Sequence, residues 1–135
     1  MADAVTATTV IDGPKSAVIY CTNTSDGTGE SAVTKVDVSA LSALQDGTAC
    51  TGVRIEKITF TNVGMGVKLL WDASTDVIAA ELPADYSDTL DYSGISGLPN
   101  VAASGGKTGD IQLTTVGHGS GDTYSIVLYC LKEYA

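Results

Sequence analysis

Residues 50 to 72 run Cys-Thr-Gly-Val-Arg-Ile-Glu-Lys-Ile-Thr-Phe-Thr-Asn-Val-Gly-Met-Gly-Val-Lys-Leu-Leu-Trp-Asp. Val53 and Ile55 alternate with Arg54 and Glu56, the period-2 signature of a half-buried strand. The phase then inverts, because Ile58 and Phe60 are apolar while Thr59 and Thr61 are polar. A strand cannot change parity without an extra residue or a change of covered face, so the pattern predicts either a β-bulge near Glu56-Lys57 or a strand whose covered face changes along its length. Asn62 to Gly66 reads as a tight turn, and Val67, Leu69 and Trp71 as the return strand of a central hairpin. Trp71, the single tryptophan, is the expected anchor of the core.

Strand patterns fill most of the remaining chain. Lys15 to Thr22 is an apolar run, and Asn23 to Glu30 a polar, glycine-containing loop. In Ser31 to Ser39, Val33, Lys35 and Asp37 alternate with Thr34, Val36 and Val38. Ala40 to Leu44 suggests one helical turn, and Asp46-Gly47 closes it. Thr75 to Leu82, ended by Pro83, fits either strand or helix and is assigned as a strand because it is short and follows a turn-like stretch, and Ser87 to Tyr92 is another short strand. Residues 93–109 form a long Gly- and Ser-rich loop, a length associated with function or interfaces. Asp110 to Val116 alternates strongly. In Asp122 to Tyr134, Tyr124, Ile126, Leu128 and Cys130 share one face and Val127, Tyr129 and Leu131 the other. A strand apolar on both faces is covered on both. These elements make about eight or nine strands with little helix. The expected fold is an all-β antiparallel β-sandwich, with a jelly roll as one topology open to it. An extended N-terminal arm or tail (residues 1–13) precedes a single domain (residues 14–135).

Several functions are disfavoured by composition. The net charge is −9, so nucleic acid and anionic membranes are poor partners. Charged residues are only 17% of the chain, against about 25% in ordinary domains. A Thr-, Ser- and Gly-rich surface can be covered by a partner at low desolvation cost. Cys21, Cys50 and Cys130 are odd in number and widely spaced, with no C-x-x-C pair, so they read as reduced core thiols. The start, Met-Ala-Asp-Ala-Val-Thr, has no signal-peptide pattern, and no apolar run approaches the roughly 18 residues of a membrane span. The expectation is a protein that folds in a cytoplasm.

Candidate chemistry is sparse. His118, with Ser120 and Asp122, lies in one glycine-rich turn and lacks a nucleophile elbow. Gly105-Gly106-Lys107-Thr108 resembles the end of a phosphate loop but lacks the earlier glycine at the required spacing. Asn23 to Glu30 offers oxygen ligands for calcium, though not with EF-hand spacing. Asn23-Thr24-Ser25 is formally a glycosylation sequon. Asp85, Asp88 and Asp91, with Tyr86 and Tyr92, would suit a sugar site or a solvated acidic edge. No catalytic, cofactor-binding or metal-ligating residue is assigned.

Trp71-Asp72, the Leu98-Pro99-Asn100 loop, the Gly106 to His118 stretch and the Tyr124-Ser-Ile-Val-Leu strand, on a small acidic β-rich chain, resemble the small virion structural proteins of tailed bacteriophages. The nearest kind is the capsid decoration, or cement, protein. The resemblance covers the general build from residue 15 to 135. It implies a non-enzymatic homotrimer on the outer capsid surface of the virion, bound to the major capsid protein, with no nucleic acid or membrane partner. Its expected interface comprises Val5, Val10 and Ile11 of the arm, Leu98, Pro99 and Asn100 of the long loop, and Tyr129, Leu131 and Tyr134 of the last strand. The alternative is a receptor- or carbohydrate-binding module of a phage tail or fibre.

Overall fold

The computed structural model describes residues 4–101 and 108–134. Among the described residues nine strands form, in order: β1 (Ala4–Asp12), β2 (Ser16–Asp26), β3 (Val33–Val36), β4 (Cys50–Val63), β5 (Gly66–Trp71), β6 (Val77–Leu82), β7 (Tyr86–Asp91), β8 (Ile111–Val116) and β9 (Ser120–Tyr134). Two short 3-10 turns, Val38–Ala40 and Ser93–Ile95, are the only helical segments among the described residues. The all-β sandwich expected from the sequence is present as two antiparallel sheets, β1-β2-β9-β4-β7 and β3-β8-β5-β6.

The parity change in β4 is a bulge. Its ladder with β9 shifts between Ile55 and Lys57, leaving Glu56 as the extra residue. Val53 and Ile55 before the shift, and Ile58, Phe60 and Asn62 after it, all face inward and are buried.

The central hairpin, however, is corrected. β4 belongs to the five-stranded sheet and β5 to the four-stranded one, and no ladder joins them. Their connection is an arch across the sandwich. Gly64 takes φ +84° there, and an added Cβ would strike the Asp122 carboxylate. Met65 turns inward and is fully buried between the layers. Alternating burial is the same for two strands of a hairpin and for two strands facing each other across a core, so the pattern alone does not separate them.

The pairing is nested. β5 pairs with β6, β4 with β7, β3 with β8 and β2 with β9. Additional ladders β4–β9 and β5–β8 close the layers. The core lies between them: Ala17, Ile19 and Cys21 of β2, the inward residues of β4, and Tyr124, Ile126, Leu128 and Cys130 of β9 meet Val67, Leu69, Trp71, Ile111 and Leu113. Trp71 is 1% exposed, as its role as anchor requires.

The N-terminal segment forms a strand of its own domain, where a free arm or tail was expected. β1 pairs with β2 through a turn in which Gly13 N donates to Ser16 O. Every residue from Val5 to Asp12 remains exposed, so this edge strand is held by main-chain bonds and contributes little to the core. At its end, Asp12 pairs with Lys132 and accepts from Ser42 N. The helical turn expected at Ala40 to Leu44 forms earlier, at Val38–Ala40, because the Asp37 carboxylate accepts from Ser39 N and caps it.

Candidate functional site

The outer face of the five-stranded sheet is the most unusual surface. Antiparallel register places Val18 opposite Tyr129, Tyr20 opposite Val127 and Ile11 opposite Val18. A second bulge, between Thr9 and Ile11, brings Val10 to the same area. Val10, Ile11, Val18, Tyr20, Val127 and Tyr129 thereby line a shallow groove with Ser125. Val10 is 59% exposed, Ile11 52% and Tyr20 41%. Ser125 Oγ donates to the Tyr20 hydroxyl at 3.2 Å, and the Lys57 ammonium lies 4.6 Å from the Tyr129 ring centroid. Towards β7 the face becomes hydroxyl-rich, with Thr59 paired to Thr89 and Thr61 to Ser87. Contiguous exposed apolar area of this kind marks interaction sites more often than chance surface does.

The edge beside the groove is also distinctive. Val5 to Ile11 carries no charge. The opposite edge, β7, carries Asp88 and Asp91 and follows Asp85. Charges on an edge strand block pairing with another chain, so β7 is guarded where β1 is open.

The nine residues expected at an interface do not form one surface. Val10, Ile11 and Tyr129 converge on the groove, and Val5 lies farther along the same edge. Leu98 exchanges two main-chain hydrogen bonds with Ile55 and packs against the core. Pro99 and Asn100 follow it, half-buried. Leu131 is half-buried near the Ser96-Gly97 turn, which Arg54 fixes by donating to both carbonyls. The Tyr134 hydroxyl donates to Pro14 O at 2.6 Å and closes the fold. Val18, Tyr20 and Val127 belong to the groove, although the expected interface omits them; their signal is the outward phase of the alternation in Ala17 to Cys21 and in β9.

Other candidates resolve into structural roles. His118 Nδ1 lies 3.1 Å from Thr115 Oγ1, and its ring packs where a side chain on Gly29 would otherwise sit. Asp122 accepts from Gly119 N and shapes the turn. Asp85 accepts from Gly64 N, and Asp91 from Ser93 N. The Ser93 side chain and main chain hold the Asp91 carboxyl below its usual range. Register places Asp88 and Asp91 on opposite faces of β7, so the acids do not make one site. Gly105 to Lys107 of the phosphate-loop candidate lie outside the described residues, while Thr108 donates to Asp72. Among the described residues, no group of three or more His, Cys, Asp or Glu side chains is placed to hold a metal. Burial raises the Cys21 thiol to about 11 and the Cys130 thiol to about 12, and all three cysteines are free and buried.

One polar cluster lies inside the sandwich. Glu30, expected in a solvated loop, is buried with Lys35, whose Nζ lies 2.5 Å from Glu30 Oε2. Their side chains are 5% and 2% exposed. Glu30 Oε1 accepts from Asn23 Nδ2 at 2.8 Å and from the Tyr124 hydroxyl at 2.5 Å. Burial, then the Glu30 bond and charge, push the Tyr124 phenol far above its ordinary value. The main-chain bond from Thr115 N to Glu30 O, together with the bond from Glu30 N to Thr115 Oγ1, fixes the loop. A register shift between Thr34 and Val36 turns Lys35 inward beside buried Val36.

No protein-family model matches the chain, and no curated protein or solved structure does either.

Proposed function

We propose that this protein acts by docking, as a capsid decoration protein of a tailed bacteriophage. On this reading it is a non-enzymatic virion component that assembles as a trimer and braces the major capsid protein from outside. The observation that carries the docking reading is the exposed apolar face of β1, β2 and β9, continuous with an edge that carries no charge from Val5 to Ile11. A low-charge surface suits a large, long-lived contact, because few ions lose water when it is covered. The phage assignment rests on the resemblance of the sequence to small virion proteins. The nested strand pairing supports the jelly roll as the topology, with β1 added beside β2.

The test is particle binding. Light scattering gives the assembly state of the pure chain, whose unit mass is 13.8 kDa. Co-sedimentation with expanded phage capsids then reads docking. Saturable binding that Tyr20→Glu or Val127→Lys abolishes supports the proposal. Binding unchanged by both variants, or no binding at all, overturns it. The second reading, a glycan- or receptor-binding module, is favoured only by Tyr86, which is 52% exposed beside Asp85 and Ser87. It predicts glycan binding that Tyr86→Ala removes.

A further inference from the structure

A buried ion pair is a weak way to stabilise a core. Both charges lose their water, and apolar residues of similar size often do as well or better. The Glu30–Lys35 pair therefore invites a chemical explanation, and its neighbours supply one. A primary amine (Lys35) and a carboxamide (Asn23) contact the two oxygens of one carboxylate (Glu30) in a site closed to water. Those are the components of an amide exchange: a nucleophile, an electrophile and a proton carrier between them.

We propose that the folded chain joins Lys35 to Asn23 through a side-chain amide bond, with Glu30 carrying the protons. Lys35 Nζ first gives a proton to Glu30 Oε2. The amine lone pair then forms a bond to Asn23 Cγ, and the carbonyl electrons move to Oδ1. The Tyr124 hydroxyl and Asn23 Nδ2 both donate to Glu30 Oε1, which holds the carboxamide against the acid. Glu30 passes its proton to Nδ2 and takes one from Nζ. The Cγ–Nδ2 bond breaks, ammonia leaves, and the Nζ–Cγ amide remains. The last proton stays on Glu30 or departs with ammonia as ammonium. No oxidant or reductant is required.

Two physical effects drive the step forward. The fold holds amine and carboxamide on the two oxygens of a single carboxylate, so both reactants are gathered at one group before reaction. The product removes the ion pair, replacing two buried charges with a neutral amide and at most one carboxylate. The new bond would tie β2 of one sheet to β3 of the other, a covalent staple across the sandwich in a chain whose cysteines are all free.

The test is mass spectrometry of the full-length chain, denatured after prolonged incubation in the folded state at neutral pH. The expected mass is lower than the sequence mass by one ammonia. Trypsin should leave the segment Ser16 to Arg54 uncut at Lys35, because an acylated lysine is not a cleavage site. Glu30→Gln and Lys35→Arg should both keep their full sequence mass, and Glu30→Gln should be cleaved at Lys35. Full mass with ordinary cleavage after Lys35 in the wild-type chain overturns the proposal. So does loss of ammonia with cleavage retained, which would place the change within the Asn23 main chain. The wild-type result decides the question even if the variants fail to fold.

Discussion

Deleting one residue from β4 should be nearly harmless at position 56 and ruinous at position 59. Glu56 is the extra residue of the bulge. Without it, Val53, Ile55, Ile58, Phe60 and Asn62 would alternate without interruption, and both the β9 and β7 ladders would keep their registers. The chief cost is the hydrogen bond from Tyr92 N to Glu56 O, 2.8 Å long, worth about 1 kcal/mol. Deleting Thr59 instead reverses the parity of everything beyond it. Phe60 would turn outward, losing roughly 3 kcal/mol of burial. Asn62 would lose its bonds to Leu82 O and Pro83 O, roughly another 2 kcal/mol. The sum, about 5 kcal/mol, rivals the whole stability of many domains. Urea unfolding followed by tryptophan fluorescence reads the difference through Trp71. With a slope of about 1.5 kcal/mol per M, the midpoint should fall by under ~1 M for the first deletion and by ~3 M or more for the second. Equal losses would show that the bulge does not set the parity of the strand, and the reasoning would fail.

Tyr20→Glu and Val127→Lys alter half-exposed groove positions and should change stability by less than about 1 kcal/mol while abolishing particle binding; a large fall in melting temperature would mean that the face is structural. Removing residues 2 to 11 takes away an edge strand whose described side chains are exposed and keeps the Asp12–Lys132 pair, so particle binding should vanish with little change in the thermal melt of the free protein. Cys21, Cys50 and Cys130 should resist alkylation until the chain unfolds, and rapid labelling of any one would contradict its buried position. The Cys21 and Cys130 thiols are raised from 9.0 to about 11 and about 12, so the folded state keeps protons that the unfolded chain loses. Their contribution is intact below pH 9 and declines as pH rises from there towards the folded values, an effect that Cys130→Ala should reduce in unfolding curves taken across that range.

The sequence makes the bulge readable because apolar residues fall on one parity before Glu56 and on the other after it. It does not distinguish the β4–β5 arch from a hairpin, since each strand meets the core with the same alternation whichever sheet it joins. The buried cluster is hidden for a different reason. Glu30 and Lys35 carry charge, and charge ordinarily signals solvent; their burial depends on Asn23 and Tyr124, remote in sequence or in strand phase. The groove is half visible. Tyr129, Val10 and Ile11 stand out as apolar residues, but only the β1–β2–β9 register brings them beside Val18 and Tyr20. Leu98 and Tyr134 read as interface residues because nothing local reveals their bonds to Ile55 and Pro14.

The nested pairing has a consequence during synthesis. β3, β4 and β5 find all their ladder partners among β6 to β9, in the later part of the chain. While the ribosome makes the first 76 residues, only the β1–β2 hairpin can close. The apolar positions of β4 and β5 must therefore wait, uncovered, until the return strands emerge. Nascent chains arrested just before β6 should engage chaperones strongly, and those released past β9 should not.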